Sequence, residues 1–175
     1  MLVSMGHGIK AILDRNKVDY QKKTIIQASD LKEKIEQLNI TCSTNTIASI
    51  DAKNMYPSVK FNHIKKAVNY FLRDASRRDK GVANRCLEMV RFGMANCIIT
   101  FEDQYWEYGG SVSVDDKGLT IGGYESAFFA DLVAAYLLEN TTELFENSVY
   151  NGIYRDDGIN IISTRQSTED MCSWL

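Results

Sequence analysis

At 175 residues, 45% apolar and 25% charged with a single proline, the chain is long enough for one domain with a sizeable core, and it carries neither a repeat period nor a low-complexity tract. Its apolar runs are far shorter than a bilayer span, and Gly6, His7 and Gly8 interrupt the start where a secretion signal needs an apolar run, so an intracellular protein without a membrane segment is expected. The net charge of −3 hides an asymmetry: residues 1–100 carry 17 Lys+Arg against 9 Asp+Glu, and residues 101–175 carry 3 against 14. This split suits a basic surface facing a polyanion and an acidic half holding metal, and equally two halves that attract each other.

Residues 1–40 read as two helices, the first on Ile9, Ile12 and Leu13, the second capped by Ser29 with Leu31, Ile35 and Leu38 at helical spacing. After a polar loop from Cys42, Thr46–Asp51 reads as a strand with Asp51 at its C-terminal end. Pro57 biases Tyr56 out of helix and sets a corner over 52–58. The stripe Ile64, Ala67, Val68, Phe71, Leu72 and Ala75 predicts a helix over 62–79, with His63 a first-turn surface residue and a second helix following Gly81. Ile98–Phe101 and Tyr105–Tyr108 flank a turn at 102–104 and predict a hairpin. Gly118–Gly123 is a loop before an amphipathic helix over 126–139 that Ser126 can cap. The four cysteines show no CxxC spacing and the two histidines no HxxxH, so buried reduced thiols are expected rather than zinc.

The stretch the chain is organised around lies near its end. Val149–Ile153 and Ile159–Ile162 are β-branched, aromatic-rich runs meeting at Tyr154-Arg155-Asp156-Asp157-Gly158, a hairpin with an Asp-Gly corner. Adjacent carboxylates in a tight turn repel, and a hard cation shared with a third acid relieves that. An acidic, solvated turn is the plain alternative. The order of strand, helices, hairpin, helix and hairpin predicts an α+β fold of two layers, an antiparallel sheet packed against helices, in which Asp51 and the Asp156 turn lie side by side.

Three stretches in this order, Ser49–Ser58, Gly118–Leu132 and Tyr154–Gly158, resemble palm motifs A, B and C of reverse transcriptases, over roughly residues 28–163. The Tyr-Arg-Asp-Asp-Gly third motif is most similar to retroelement enzymes of Penelope-like or related type. The resemblance implies a polymerase palm with a ferredoxin-like core over 46–163, residues 1–45 being a remnant of the connection to fingers. It implies RNA-templated DNA synthesis from a primer and deoxynucleoside triphosphates, with a pair of Mg²⁺ ions for which Mn²⁺ substitutes. Asp51 and Asp156 would bridge the ions, with Asp157 close by and the Ala52 carbonyl a further ligand. Tyr56 would stack under the sugar and obstruct a 2′-hydroxyl, against the alternative of a buried tyrosine before a proline. Ile121, Gly122 and Ser126 would contact nucleotide. Here the chain departs from the commoner pattern, having Thr120, Tyr124 and Ala127 where prolines are usual.

Lys65, Lys66, Arg73 and Arg77 are candidates for phosphate contact, against a solvated helix face. Trp106 and Tyr108 are candidates for stacking under a primer strand, against packing within their hairpin. No lysine follows Lys117, so the lysine that comes after motif C in the family is absent, and complete fingers and a thumb are not evident. A palm-centred piece of a larger enzyme, weak or inactive alone, is the expectation. A catalytically silent palm used for nucleic-acid binding or scaffolding, a B-family DNA polymerase and a small RNA-binding domain are the alternatives.

Overall fold

The computed structural model describes residues 5–22, 27–38, 45–110, 112–123, 125–141 and 148–163. Cys42, Cys172 and Tyr124 lie outside them. Among the described residues, six helices and five strands run in the order α1 (Met5–Arg15), α2 (Ala28–Gln37), β1 (Asn45–Asp51), α3 (Met55–Ser58), α4 (Phe61–Phe71), α5 (Arg77–Ala95), β2 (Ile98–Phe101), β3 (Gln104–Glu107), α6 (Ser126–Asn140), β4 (Ser148–Tyr154) and β5 (Asp157–Ser163). The class is mixed α+β with antiparallel sheets, as expected. The chain forms two compact units: residues up to Tyr20 with Asn54–Tyr136, and Gln21–Lys53 with Leu137 onward.

The first unit is built around helices. Ile9 and Leu13 of α1, Ile64 and Val68 of α4, Leu87 of α5, and Phe129 and Leu132 of α6 are all at most 2% exposed and share one core. α6 is not amphipathic as predicted. Leu132, Val133, Ala134 and Ala135 are all buried in succession, which is the mark of a helix enclosed on most sides. The stripe expected to run as one helix over 62–79 breaks after Phe71, and α5 begins four residues before Gly81. The reason is local: Ser76 Oγ accepts from the Asp79 N–H at 3.1 Å and starts a new helix. Asp79 is 8% exposed and also takes the Arg15 guanidinium and the Asn16 amide (3.0 Å), which fastens α1 to α5. β2 and β3 form the expected hairpin, closed by Glu102 and Asp103 at φ 46 and 61, the two left-handed residues of a type I′ turn. Of the two stacking candidates, Trp106 is 45% exposed, whereas Tyr108 is half-buried and its hydroxyl donates to the Leu119 carbonyl at 3.4 Å.

Tyr20 packs edge-on against Phe71 and Phe128, at 6.3 and 6.1 Å between centroids, and is 6% exposed. Burial, with the Asp14 and Asp131 carboxylates adding to it, pushes its phenol up to about 12. The folded protein therefore keeps this proton above pH 10 while the unfolded chain loses it, so stability falls as pH rises from 10 to 12, by about 2–3 kcal/mol at the upper end. Tyr20→Phe flattens this decline. Urea midpoints at pH 9 and pH 11 measure it, and an equal decline in both proteins assigns it elsewhere.

The second unit holds the three-stranded sheet, in the order β1-β5-β4 and antiparallel throughout. Ile161 and Ile162 of the central strand are 1% and 6% exposed. Gln27 is the capping residue before α2 and its N–H donates to Asp30 Oδ2 at 2.9 Å, so Ser29 lies inside the helix and is not its cap. No α2 residue is buried.

Candidate active site

Strand register assembles the acidic end of the sheet. β1 pairs with β5 from Asn45↔Ser163 to Asp51↔Asp157, so Asp51, the last residue of one strand, stands directly across from Asp157, the first of the other. The ladder continues one step further, where the Ala52 N–H donates to the Asp156 carbonyl at 2.7 Å. On the other side β4 pairs with β5 up to Tyr154↔Asp157, which leaves Arg155 and Asp156 as the two-residue tip, with Arg155 at φ 55. The corner is therefore Arg155-Asp156 and not Asp157-Gly158. Gly158 is held in the strand, opposite Ile50 on one side and Ile153 on the other.

Asp51, Ala52, Asp156 and Asp157 are all exposed. None of the three carboxylates has an ion-pair partner among the described residues. Like charges directly opposite one another on paired strands are destabilising. Anionic oxygens from two strands and a tip are the donors that Mg²⁺ and Mn²⁺ take, and the unrelieved repulsion is what such an ion would neutralise. Among the described residues, no three carboxylate, imidazole or thiolate groups are gathered closely enough to hold a metal ion. The fold supplies the backbone juxtaposition without a preformed cage of side chains.

The other predicted residues lie in the helical unit. Tyr56 is helical, contrary to the expectation from Pro57. Asn54 takes a left-handed φ of 55 and opens the single turn α3, and Pro57 sits within that first turn, where a missing N–H costs nothing. The Tyr56 ring is half-buried against the core. Its carbonyl and that of Val59 both accept from the Leu119 N–H, at 3.0 and 3.1 Å, and Lys60 bridges to Gly118. At Gly118 a Cβ would stand 2.1 Å from the Pro57 carbonyl oxygen, so this crossing admits only glycine.

Beyond it, the Gly123 N–H donates to the Thr120 carbonyl at 3.2 Å and Gly122 has φ 82, a type II turn whose third position requires glycine. Ile121 at the corner is 81% exposed, whereas Ser126 is 5% exposed. The three expected nucleotide contacts thus do not share one surface. Lys65 and Lys66 are exposed on α4, Arg73 follows that helix and lies over the Tyr70 ring at 4.5 Å, and Arg77 opens α5. These four do not form the single helical face that the sequence suggested.

Two charged residues that sequence reasoning passed over prove to be anchors. Lys117, its side chain 3% exposed, donates to Glu107 Oε1 at 2.6 Å and to the Ala95 carbonyl at 3.2 Å. It ties the end of α5 and strand β3 to the segment entering Gly118. Glu125 Oε1 accepts from the Gly6 N–H at 2.7 Å, in the first turn of α1, where a carboxylate meets both an orphan donor and the helix dipole. Neither role has a local signal, because the partners are distant in sequence.

No family model matches the sequence, and no curated protein matches it. Solved structures do. The structure of telomerase from Candida tropicalis in complex with the TWJ fragment of telomeric RNA superposes with a TM-score of 0.71 over 99% of this chain and 30% of that one, at 12% identity. The fold is telomerase-like. Telomerase from Candida albicans with the TWJ fragment gives 0.68 at 13% identity, over 99% of this chain and 32% of that one. The apo Candida tropicalis telomerase truncated from its C-terminal domain gives 0.66 at 13%, over 97% and 35%. Telomerase is related to the reverse transcriptases, so the likeness supports a reverse-transcriptase-like fold, and at this identity it concerns the fold alone. The chain spans about a third of the length of the telomerase chains it matches. No helix among the described residues is long and apolar enough to cross a membrane.

Proposed function

We propose that this chain is the palm of a reverse transcriptase and supplies the catalytic acids for RNA-templated DNA synthesis within a larger polypeptide. The observation that carries the reading is the register that puts Asp51 opposite Asp157 and next to the Asp156 tip, three carboxylates with no cationic partner among the described residues. A telomerase-like fold supports it independently. Asp51 and Asp156, with the Ala52 carbonyl and Asp157 beside them, would hold Mg²⁺. The ions supply activation of the primer hydroxyl and neutralisation of the departing pyrophosphate. The residues' own part is to present fixed negative oxygens from two strands whose spacing the ladder sets.

Tyr56, five residues after Asp51, would favour a deoxyribose over a ribose, and the Gly122 turn would give backbone close approach to the nucleotide. Template RNA, primer DNA and deoxynucleoside triphosphates are the proposed partners, in an intracellular setting. The Tyr-Arg-Asp-Asp-Gly tip supports a retroelement enzyme, Penelope-like or related, within the class.

Amide NMR titrations of dATP and ATP in Mg²⁺ test the reading. The deoxynucleotide is expected to bind more tightly, and Tyr56→Ala to shrink that preference roughly tenfold. Equal affinity of the parent chain for both removes Tyr56 from the proposal. The second reading is a silent palm that binds or scaffolds nucleic acid, and it is favoured by the absence of a gathered three-carboxylate cluster among the described residues. Mn²⁺ broadening at residues 51, 156 and 157 separates the two, since a silent module shows none there.

A further inference from the structure

The helical unit contains a half-open cavity of about 190 Å³ between α5, the Gly118–Gly123 loop and the start of α6. Met89, Met94, Leu119 and Phe129 give it apolar walls. At one end stand two hydroxyls. The Thr120 and Ser126 side-chain oxygens both lie within 2.5 Å of the point that a Cβ on Gly123 would take, so only glycine at 123 lets the two hydroxyls converge there. Ser126 is 5% exposed, and neither hydroxyl has a hydrogen-bond partner among the described residues. Both hydroxyls are therefore available to a guest at that end of the cavity.

An apolar slot of this size with a polar end has a definite complement. We propose that this pocket is a binding site for a small planar aromatic molecule bearing one N–H or O–H, its ring between the two methionines and Phe129 and its polar group on Ser126 and Thr120. Methionine thioethers adapt to and favour aromatic rings, which fits the walls to such a guest better than to an aliphatic one. The inference rests on the cavity and does not depend on polymerase chemistry.

Gly93 provides the decisive variant. It lines the cavity on the same face of α5 as Met89 and Val90, and a Cβ there meets nothing within 4 Å. Gly93→Leu should therefore fill the slot without disturbing the fold, and helix propensity makes it neutral or mildly stabilising. The test is ¹H–¹⁵N NMR titration of the chain with indole, and with indene as the isostere lacking the N–H.

Indole is expected to give saturable shifts confined to residues 89–97 and 118–129, and indene to bind about three- to tenfold more weakly. Ser126→Ala should bring indole down to the level of indene, and Gly93→Leu should weaken indole at least about tenfold while thermal unfolding confirms an intact fold. Absence of saturable shifts with indole, or binding that Gly93→Leu leaves unchanged, overturns the site. Equal binding of indole and indene overturns the role of the hydroxyls.

Discussion

Asp51→Asn is expected to abolish Mn²⁺-induced broadening at residues 156 and 157 and, at the same time, to make the metal-free protein slightly more stable. The two effects have one cause. Asp51 faces Asp157 across the β1–β5 ladder, and no counter-charge answers either carboxylate among the described residues. Removing one charge relieves a cross-strand repulsion worth about 0.2–1 kcal/mol. It also removes an anionic oxygen that the proposed metal site requires. Loss of an outer partner of a metal ligand already costs about 10–100-fold in metal affinity or activity, so loss of the ligand itself should exceed about a hundredfold. Asp156→Asn should lose metal equally, and its stability effect should be smaller because the tip is not directly opposed.

Paramagnetic NMR and urea midpoints in the presence and absence of Mg²⁺ read both quantities. A structural role for Asp51 gives the reverse sign, with stability lost and metal irrelevant. If the parent chain shows no broadening at this end of the sheet, the two-ion reading falls. Primer extension by the parent chain should be weak and should disappear in the variant.

Gly118→Ala is expected to be among the most destabilising single-methyl additions possible in the helical unit. The new carbon would stand 2.1 Å from the Pro57 carbonyl oxygen and 2.5 Å from the carbonyl carbon, both backbone atoms that no rotamer change can move aside. The segments must separate, which breaks the hydrogen bonds from Leu119 to Tyr56 and Val59 and exposes Leu119, now 4% exposed. A cost of about 3–4 kcal/mol follows, or roughly 10 °C in the unfolding midpoint. Gly93→Ala is the control, with open space around the added methyl and an expected gain of about 0.5–1 kcal/mol from helix propensity. Calorimetry on both variants decides. A Gly118→Ala protein that melts with the parent shows that the α3 crossing gives way easily.

Much of this arrangement is legible in the residues themselves. Alternation and β-branching mark β1 and both hairpins, and the two acidic stretches can be placed together because their strands are easily recognised. Where reading fails, a longer-range contact overrides a local signal. Asp157-Gly158 is a turn dipeptide by local chemistry, yet pairing with Ile50 holds Gly158 in a strand and moves the corner to Arg155-Asp156. Leu72 and Ala75 continue the stripe of α4, so only the Ser76 cap reveals that the helix has ended. The enclosure of α6 is invisible to periodicity, since alanines at 134 and 135 satisfy a buried and a half-exposed face alike. Tyr56 is helical because Asn54 turns left-handed before it, a backbone choice that a following proline does not announce. Lys117 and Glu125 are ordinary charges until the fold delivers their partners.

The central position of β5 has a consequence for the order of assembly. β4 and β5 are neighbours along the chain, joined by a two-residue tip, and can zip together early and locally. β1 must arrive from far upstream and close a very long loop before its ladder repays the entropy. A nascent or partly melted molecule can therefore display the Asp156-Asp157 tip while lacking its upstream aspartate. Bringing all three carboxylates together becomes, by topology, a late step of assembly.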